Sequence, residues 1–194
     1  MTGDFSKFYW DSCVIIAYLK NEVDKHEDSV PHIQELLRQN MREENQIIGS
    51  QFIRLEVLQF TLSQKAEDSF LGFYQYGKNQ IWDIDGRVAL LAREIVDYYK
   101  CNKQVRTTRK GKTVEKSIKA ADAVHLATAI LHRVDVFHTL DDGGQDGFSL
   151  LELNGSVAGH SLAISKPRAP DFTPDFFTPG ETESEIILPS QTSE

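Results

Sequence analysis

Short stretches of aromatic and β-branched residues alternate along this chain with longer amphipathic stretches, and no other feature constrains the fold as tightly. The strand-like segments are Lys7–Trp10, Gln46–Gly49, Gln80–Ile84, Val134–Leu140 and Leu162–Ser165. Helical spacing is found at Ser12–Lys20, Pro31–Glu44, Gln51–Ser63, Ala66–Tyr76, Arg87–Lys100, Ala120–Arg133 and about Phe148–Leu153. Pro31 suits a first helical turn. Strands separated by helices join through right-handed crossovers into a parallel sheet covered on both faces, so an α/β fold with about five strands is expected. In such sheets, functional groups gather beyond the carboxyl ends of the strands.

The chain has 194 residues, room for one compact domain and a tail. Four of its six prolines lie from Pro170 onward, with six acids and no base, so residues 1–169 read as the folded domain and 170–194 as a flexible acidic tail. Removing that tail from the count leaves 23 acids against 21 bases, a nearly neutral body. Lys103, Arg106, Arg109, Lys110, Lys112, Lys116 and Lys119 form a basic stretch opposed only by Glu115. The longest apolar run, Cys13–Leu19, falls far short of the roughly 20 residues that cross a bilayer. Asp4 and Asp11 interrupt the N-terminus where a secretory signal would be basic and then apolar. Cys13 and Cys101 show no metal-ligand spacing, which fits a cytoplasmic protein with reduced thiols and no membrane association.

The candidate chemistry lies in the acids. Asp11 follows Phe8-Tyr9-Trp10 directly, where it either caps the next helix or faces a site at the sheet edge. Glu56 is set among Phe52, Ile53, Leu55, Val57, Leu58 and Phe60, and a buried carboxylate needs a cation, a base or a metal. Arg54 and Lys65 are its nearest basic neighbours in sequence, neither at the three or four spacing of a helical ion pair. Asp122 falls in the first turn of an alanine-rich helix, favourable to negative charge, and His125 on the same helix reads as a core histidine or as support for a site. Asp141 and Asp142 end another strand before two glycines, a sequence that turn chemistry alone also explains. Taken together, four carboxylates at one sheet edge would repel one another unless a hard cation such as Mg²⁺ or Mn²⁺ joins them.

These motifs resemble the PIN domain family, and more closely its VapC-like toxin ribonucleases. The resemblance rests on four segments in order: Tyr9-Trp10-Asp11-Ser12-Cys13-Val14-Ile15-Ile16-Ala17-Tyr18-Leu19; Ser50 with Leu55-Glu56-Val57-Leu58; Ala121-Asp122-Ala123-Val124-His125-Leu126-Ala127-Thr128-Ala129; and Thr139-Leu140-Asp141. It implies a three-layer α/β/α sandwich and a hydrolase of RNA phosphodiester bonds dependent on Mg²⁺ or Mn²⁺. Attack by water would be in line and leave a 5′-phosphate and a 3′-hydroxyl. Asp11, Glu56, Asp122 and Asp141 become the catalytic, metal-binding acids, with Asp142 as a substitute or additional ligand and Ser12 and Thr139 as supporting hydroxyls. An antitoxin covering the site and a homodimer are implied partners. The basic stretch, with Arg109, Lys110 and Lys112, is the candidate RNA contact, against the alternative of a solvated loop. A PIN-like domain that binds RNA or protein without cleaving is the rival reading. A phosphatase is disfavoured because Asp11 is followed by Ser12 and Cys13 rather than an Asp-x-Asp signature. Neither Gly-rich nucleotide-binding fingerprint is present.

Overall fold

The structure, a computed structural model, describes residues 5–75, 78–107, 111–144, 147–170 and 172. Its elements run β1 (Ser6–Trp10), α1 (Ser12–Leu19), α2 (Val30–Met41), β2 (Asn45–Ser50), α3 (Gln51–Leu58), α4 (Gln64–Phe73), β3 (Gln80–Trp82), α5 (Gly86–Cys101), β4 (Gln104–Thr107), β5 (Thr113–Lys116), α6 (Ala120–Leu131), β6 (Val136–His138) and β7 (Ile164–Ser165). Five strands form one parallel sheet in the order β3-β2-β1-β6-β7, and β4 and β5 form a separate antiparallel ribbon.

Phe8, Tyr9 and Trp10 are all buried. Successive residues of a strand point to opposite faces, so burial of all three requires cover on both sides of the sheet. On one side the Tyr9 ring lies parallel to that of its cross-strand neighbour Phe137, centroids 5.1 Å apart, and meets His125 of α6. On the other, Trp10 stacks on Phe73 of α4. Aromatic pairs of this kind contribute about 0.5–1.5 kcal/mol beyond their buried area. Helix α6 in turn packs against α5, whose inward face is Val88, Leu91, Ala92, Ile95 and Tyr99. Alanines 123, 127 and 129 are fully buried and let the backbones approach closely.

The elements start where local chemistry favours it. Asp85 accepts hydrogen bonds from the Arg87 and Val88 amides at 2.9 and 3.0 Å and opens α5, which limits β3 to Gln80–Trp82 rather than the expected Gln80–Ile84. The Ser63 hydroxyl accepts from the Ala66 amide at 3.2 Å and opens α4 at Gln64. Helix α3 ends at Leu58, short of the expected Ser63, and α4 runs Gln64–Phe73 where Ala66–Tyr76 was expected. Strand β6 is shorter than Val134–Leu140 because Thr139 and Leu140 turn their groups toward the first strand's end, described below. The helix expected at Phe148–Leu153 is only a single 3₁₀ turn, Leu151–Leu153.

The basic stretch departs most from expectation. Instead of a solvated loop, Gln104–Thr107 and Thr113–Lys116 pair as a hairpin, with Gln104 opposite Lys116 and Thr107 opposite Thr113. Its base is fastened to the domain by side chains. The Gln104 amide donates to the Ser149 carbonyl at 3.0 Å and accepts from the Ser149 amide at 2.8 Å, which imitates a strand pairing. Arg106 pairs with Glu152 and donates to the Asp142 carbonyl at 3.3 Å. Arg109 and Lys110 lie outside the described residues, as does the expected tail except for Pro170 and Phe172, the latter edge-on to His32.

Candidate metal centre

Asp11 extends the ladder of β1 by one backbone bond, its amide donating to the His138 carbonyl at 3.0 Å, and its carboxylate then turns into the sheet edge. One oxygen accepts from the Ser12 amide at 2.7 Å, so Asp11 is the cap of α1. The other accepts from the Thr139 hydroxyl at 2.7 Å, with the Cys13 thiol at 3.2 Å. The cap and the site are therefore alternative readings of one residue that serves both. Thr139 also accepts from the Asp141 amide at 3.0 Å, tying the loop after β6 to the end of β1. Ser12 and Thr139 accordingly stand beside the Asp11 carboxylate.

Glu56 is not paired with Arg54; its Oε2 lies 2.6 Å from His125 Nε2. The other ring nitrogen, Nδ1, lies 2.7 Å from the Tyr9 hydroxyl and 3.3 Å from the Ser50 hydroxyl. Burial pushes the Tyr9 phenol up, so it stays neutral and can donate. Burial also raises Glu56, but the His125 hydrogen bond and charge outweigh it and hold the carboxyl below its ordinary range. An ionised Glu56 only accepts, so the network assigns the hydrogen to Nε2. Burial lowers His125, while the bond to Glu56 and the charges of Asp11, Glu56 and Asp122 raise it more, and the net shift is upward. Ligand atoms of Asp11, Glu56 and His125 lie within 4.8 Å of one another. Of these three, His125 spends its nitrogens on Tyr9, Ser50 and Glu56. Sequence reading missed this linkage, because a histidine on an apolar helix looks the same whether it faces core or carboxylate.

Asp122 and Asp141 complete the acidic neighbourhood without joining that 4.8 Å group. Burial, then the charges of Asp11 and Asp141, push Asp122 up to about 6. Asp141 is raised by burial and by Asp11, against a 2.8 Å hydrogen bond from the Gly143 amide. Gly143 has φ of +75°, and a Cβ there would lie 2.8 Å from the Ser149 nitrogen, so this turn needs glycine. Asp142 is exposed on the rim, with its side chain on the Gly144 amide at 2.8 Å. The Lys119 ammonium lowers Glu56, Asp122 and Asp141 alike, which places a cation facing the same cluster. Lys112 lies just before β5 and is exposed.

Asp11 is held by hydrogen bonds on both oxygens, whereas Asp122 is raised by burial and then by like charges that Lys119 and His125 do not fully offset. Hard carboxylate oxygens crowded in this way fit a divalent ion such as Mg²⁺ or Mn²⁺. Such a centre can bring positive charge and an acidified water to a phosphodiester. Among the described residues, no helix is long and apolar enough to cross a membrane.

The same frame occurs in solved proteins. VapBC2 from Rickettsia felis, bound to a DNA fragment from its promoter, is 15% identical, with 82% of this chain and 98% of that one covered at a TM-score of 0.50. DNA-bound VapBC from Salmonella typhimurium is 14% identical over 84% of this chain and 98% of that one, also at 0.50. At these identities the likeness is one of fold. No curated protein sequence matches the chain. The sequence profile of the PIN domain matches residues 8–146, a span that holds all four acids, the histidine on α6 and the basic hairpin, and the chain belongs to the PIN domain family.

Proposed function

We propose that the protein is a metal-dependent ribonuclease whose centre is formed by Asp11, Glu56, Asp122 and Asp141. The observation that carries this reading is the gathering of ligand atoms of Asp11 and Glu56 within 4.8 Å at the sheet edge, in the field of which Asp122 is pushed up to about 6 by burial and by the charges of Asp11 and Asp141. A protein gains nothing in stability from such crowding, and a divalent cation relieves it. Asp11, Asp122 and Asp141 would hold the principal Mg²⁺ or Mn²⁺, with Asp142 as an accessory acid at the rim. When bound, the ion supplies charge to the phosphate and acidifies a water for attack on phosphorus. Glu56 orients that water or assists a second ion, and Ser12 and Thr139 keep the carboxylates aimed.

Substrate capture belongs to the basic stretch, in which Arg109, Lys110 and Lys112 contact RNA phosphates rather than bases. Residues 1–169 form the nuclease unit and 170–194 an acidic appendage. The family and the VapBC likeness favour the toxin of a toxin–antitoxin pair, acting in the cytoplasm, with an antitoxin over the centre and a homodimer as the working unit. The test is cleavage of a panel of structured and single-stranded RNAs by wild-type and Asp122→Asn protein, with Mg²⁺, Mn²⁺ or chelator. Metal-dependent cutting lost in the variant supports the proposal. Binding of RNA without cutting, by protein shown to hold Mn²⁺, supports the noncleaving alternative.

A further inference from the structure

Glu56 is not a freely rotating carboxylate. It projects from α3 and is met by a ring on α6, which is itself held by a hydroxyl on β1, so three separate elements converge on its orientation. The holding chain is buried, with Tyr9 at 0% and His125 at 1% exposure. Neither ring has room to turn. Tyr9 lies flat on Phe137, and Phe52 stands edge-on to His125 at 5.8 Å. With Nδ1 engaged by Tyr9 and the Nε2 hydrogen directed at Glu56, the imidazole has no lone pair left for an ion.

We infer that His125, seated on Tyr9, is the positioning residue of the centre: it fixes Glu56 Oε2 and thereby the orientation of the carboxylate that would serve a bound cation. This rests on the proposed function and assigns a role that the four acids alone leave open. A histidine in contact with an ion would act as a ligand. Here the ring acts through a carboxylate, the reverse of the common arrangement in which a carboxylate orients a histidine ligand.

The experiment is calorimetric Mn²⁺ titration of the full chain, in wild type, His125→Asn, His125→Gln, Tyr9→Phe and Glu56→Ala backgrounds, with thermal melts of the same samples. The glutamine amide reaches the Nε2 position and the asparagine amide stops at the Nδ1 position. His125→Asn is expected to weaken Mn²⁺ binding about 10- to 100-fold, with most of the affinity recovered in His125→Gln. Tyr9→Phe keeps the ring packing, loses the hydroxyl and weakens binding in the same direction, which preserves the test should His125→Asn not fold. With Glu56→Ala already present, neither change has a further effect. Wild-type affinity in folded His125→Asn or Tyr9→Phe overturns the inference. So does an equal loss with and without Glu56, which would make His125 a structural residue only. A wild-type chain that binds no Mn²⁺ overturns the proposed function itself, and this inference with it.

Discussion

Replacing Asp122 with asparagine is expected to make the metal-free protein more stable, and the gain should depend on pH. Asp122 is pushed up to about 6 in the folded chain against an ordinary aspartate value near 3.8. A difference of about two units corresponds to about 3 kcal/mol at about 1.4 kcal/mol per unit, and its partial contact with solvent trims this to about 1–3 kcal/mol. The folded state favours the protonated acid, so the penalty is absent at about pH 3 and below, where both folded and unfolded chains are protonated. It grows as pH rises and is complete above about pH 6 to 7. Asparagine has nearly the same shape and never ionises. For a chain of this size, Asp122→Asn should therefore raise the melting temperature by roughly 2–10 °C at pH 8 in EDTA, and by nothing measurable from this group near pH 3. Mn²⁺ at pH 8 should stabilise the wild type and act much less on the variant, because a ligand stabilises only the form that binds it. Thermal melts at pH 3 and pH 8 in EDTA, and at pH 8 with Mn²⁺, give all the comparisons. A variant less stable than wild type at pH 8 in EDTA would refute the reasoning, since the repulsion attributed to Asp122 would then be offset within the protein.

Asp11→Asn keeps an acceptor for the Ser12 amide, so its melt should change little while RNA cleavage falls more than about 100-fold, read in a single-turnover assay. Neutralising Arg109, Lys110 and Lys112 together should reduce the slope of log affinity against log salt by about 2 on single-stranded RNA, and an unchanged slope would place these charges away from the phosphates. Gly49→Ala puts a methyl group 2.7 Å from the Tyr74 hydroxyl oxygen and 2.8 Å from Ile53 Cδ1, so urea denaturation should show a loss of about 1–3 kcal/mol. Because Ile53 and Glu56 share α3, a rearrangement that absorbs the clash should also weaken Mn²⁺ binding.

The middle of the sheet was legible because its strands obey a simple rule: buried on both faces, they read as apolar runs such as Phe8-Tyr9-Trp10, whereas the edge strand Gln80–Trp82 is largely exposed. Segments governed by caps were less so, since Ser63 and Asp85 end one element by starting the next. The hairpin escaped for another reason. Gln104-Val105-Arg106-Thr107 buries little, with Val105 exposed, and the side chains that fasten it reach residues 149 and 152, far along the chain. The acids of the candidate centre were readable from their positions at strand ends and on apolar helix faces. The partner of Glu56 was not, because 69 residues separate it from His125 and no local spacing encodes a contact of that range.

The middle place of β1 in its sheet governs when such a centre can exist. Its neighbour on one side is β2, close in sequence, but the other is β6, and Asp11 must wait for a hydroxyl 128 residues further along. At about 5–20 residues per second, a ribosome needs roughly 6–25 seconds to make that stretch. Until then the first acid lies beside an open strand edge, and neither Thr139 nor Asp141 has been made. A centre that needs Asp11, Thr139 and Asp141 together thus stays unassembled until synthesis has passed the end of β6, an order of events imposed by topology alone.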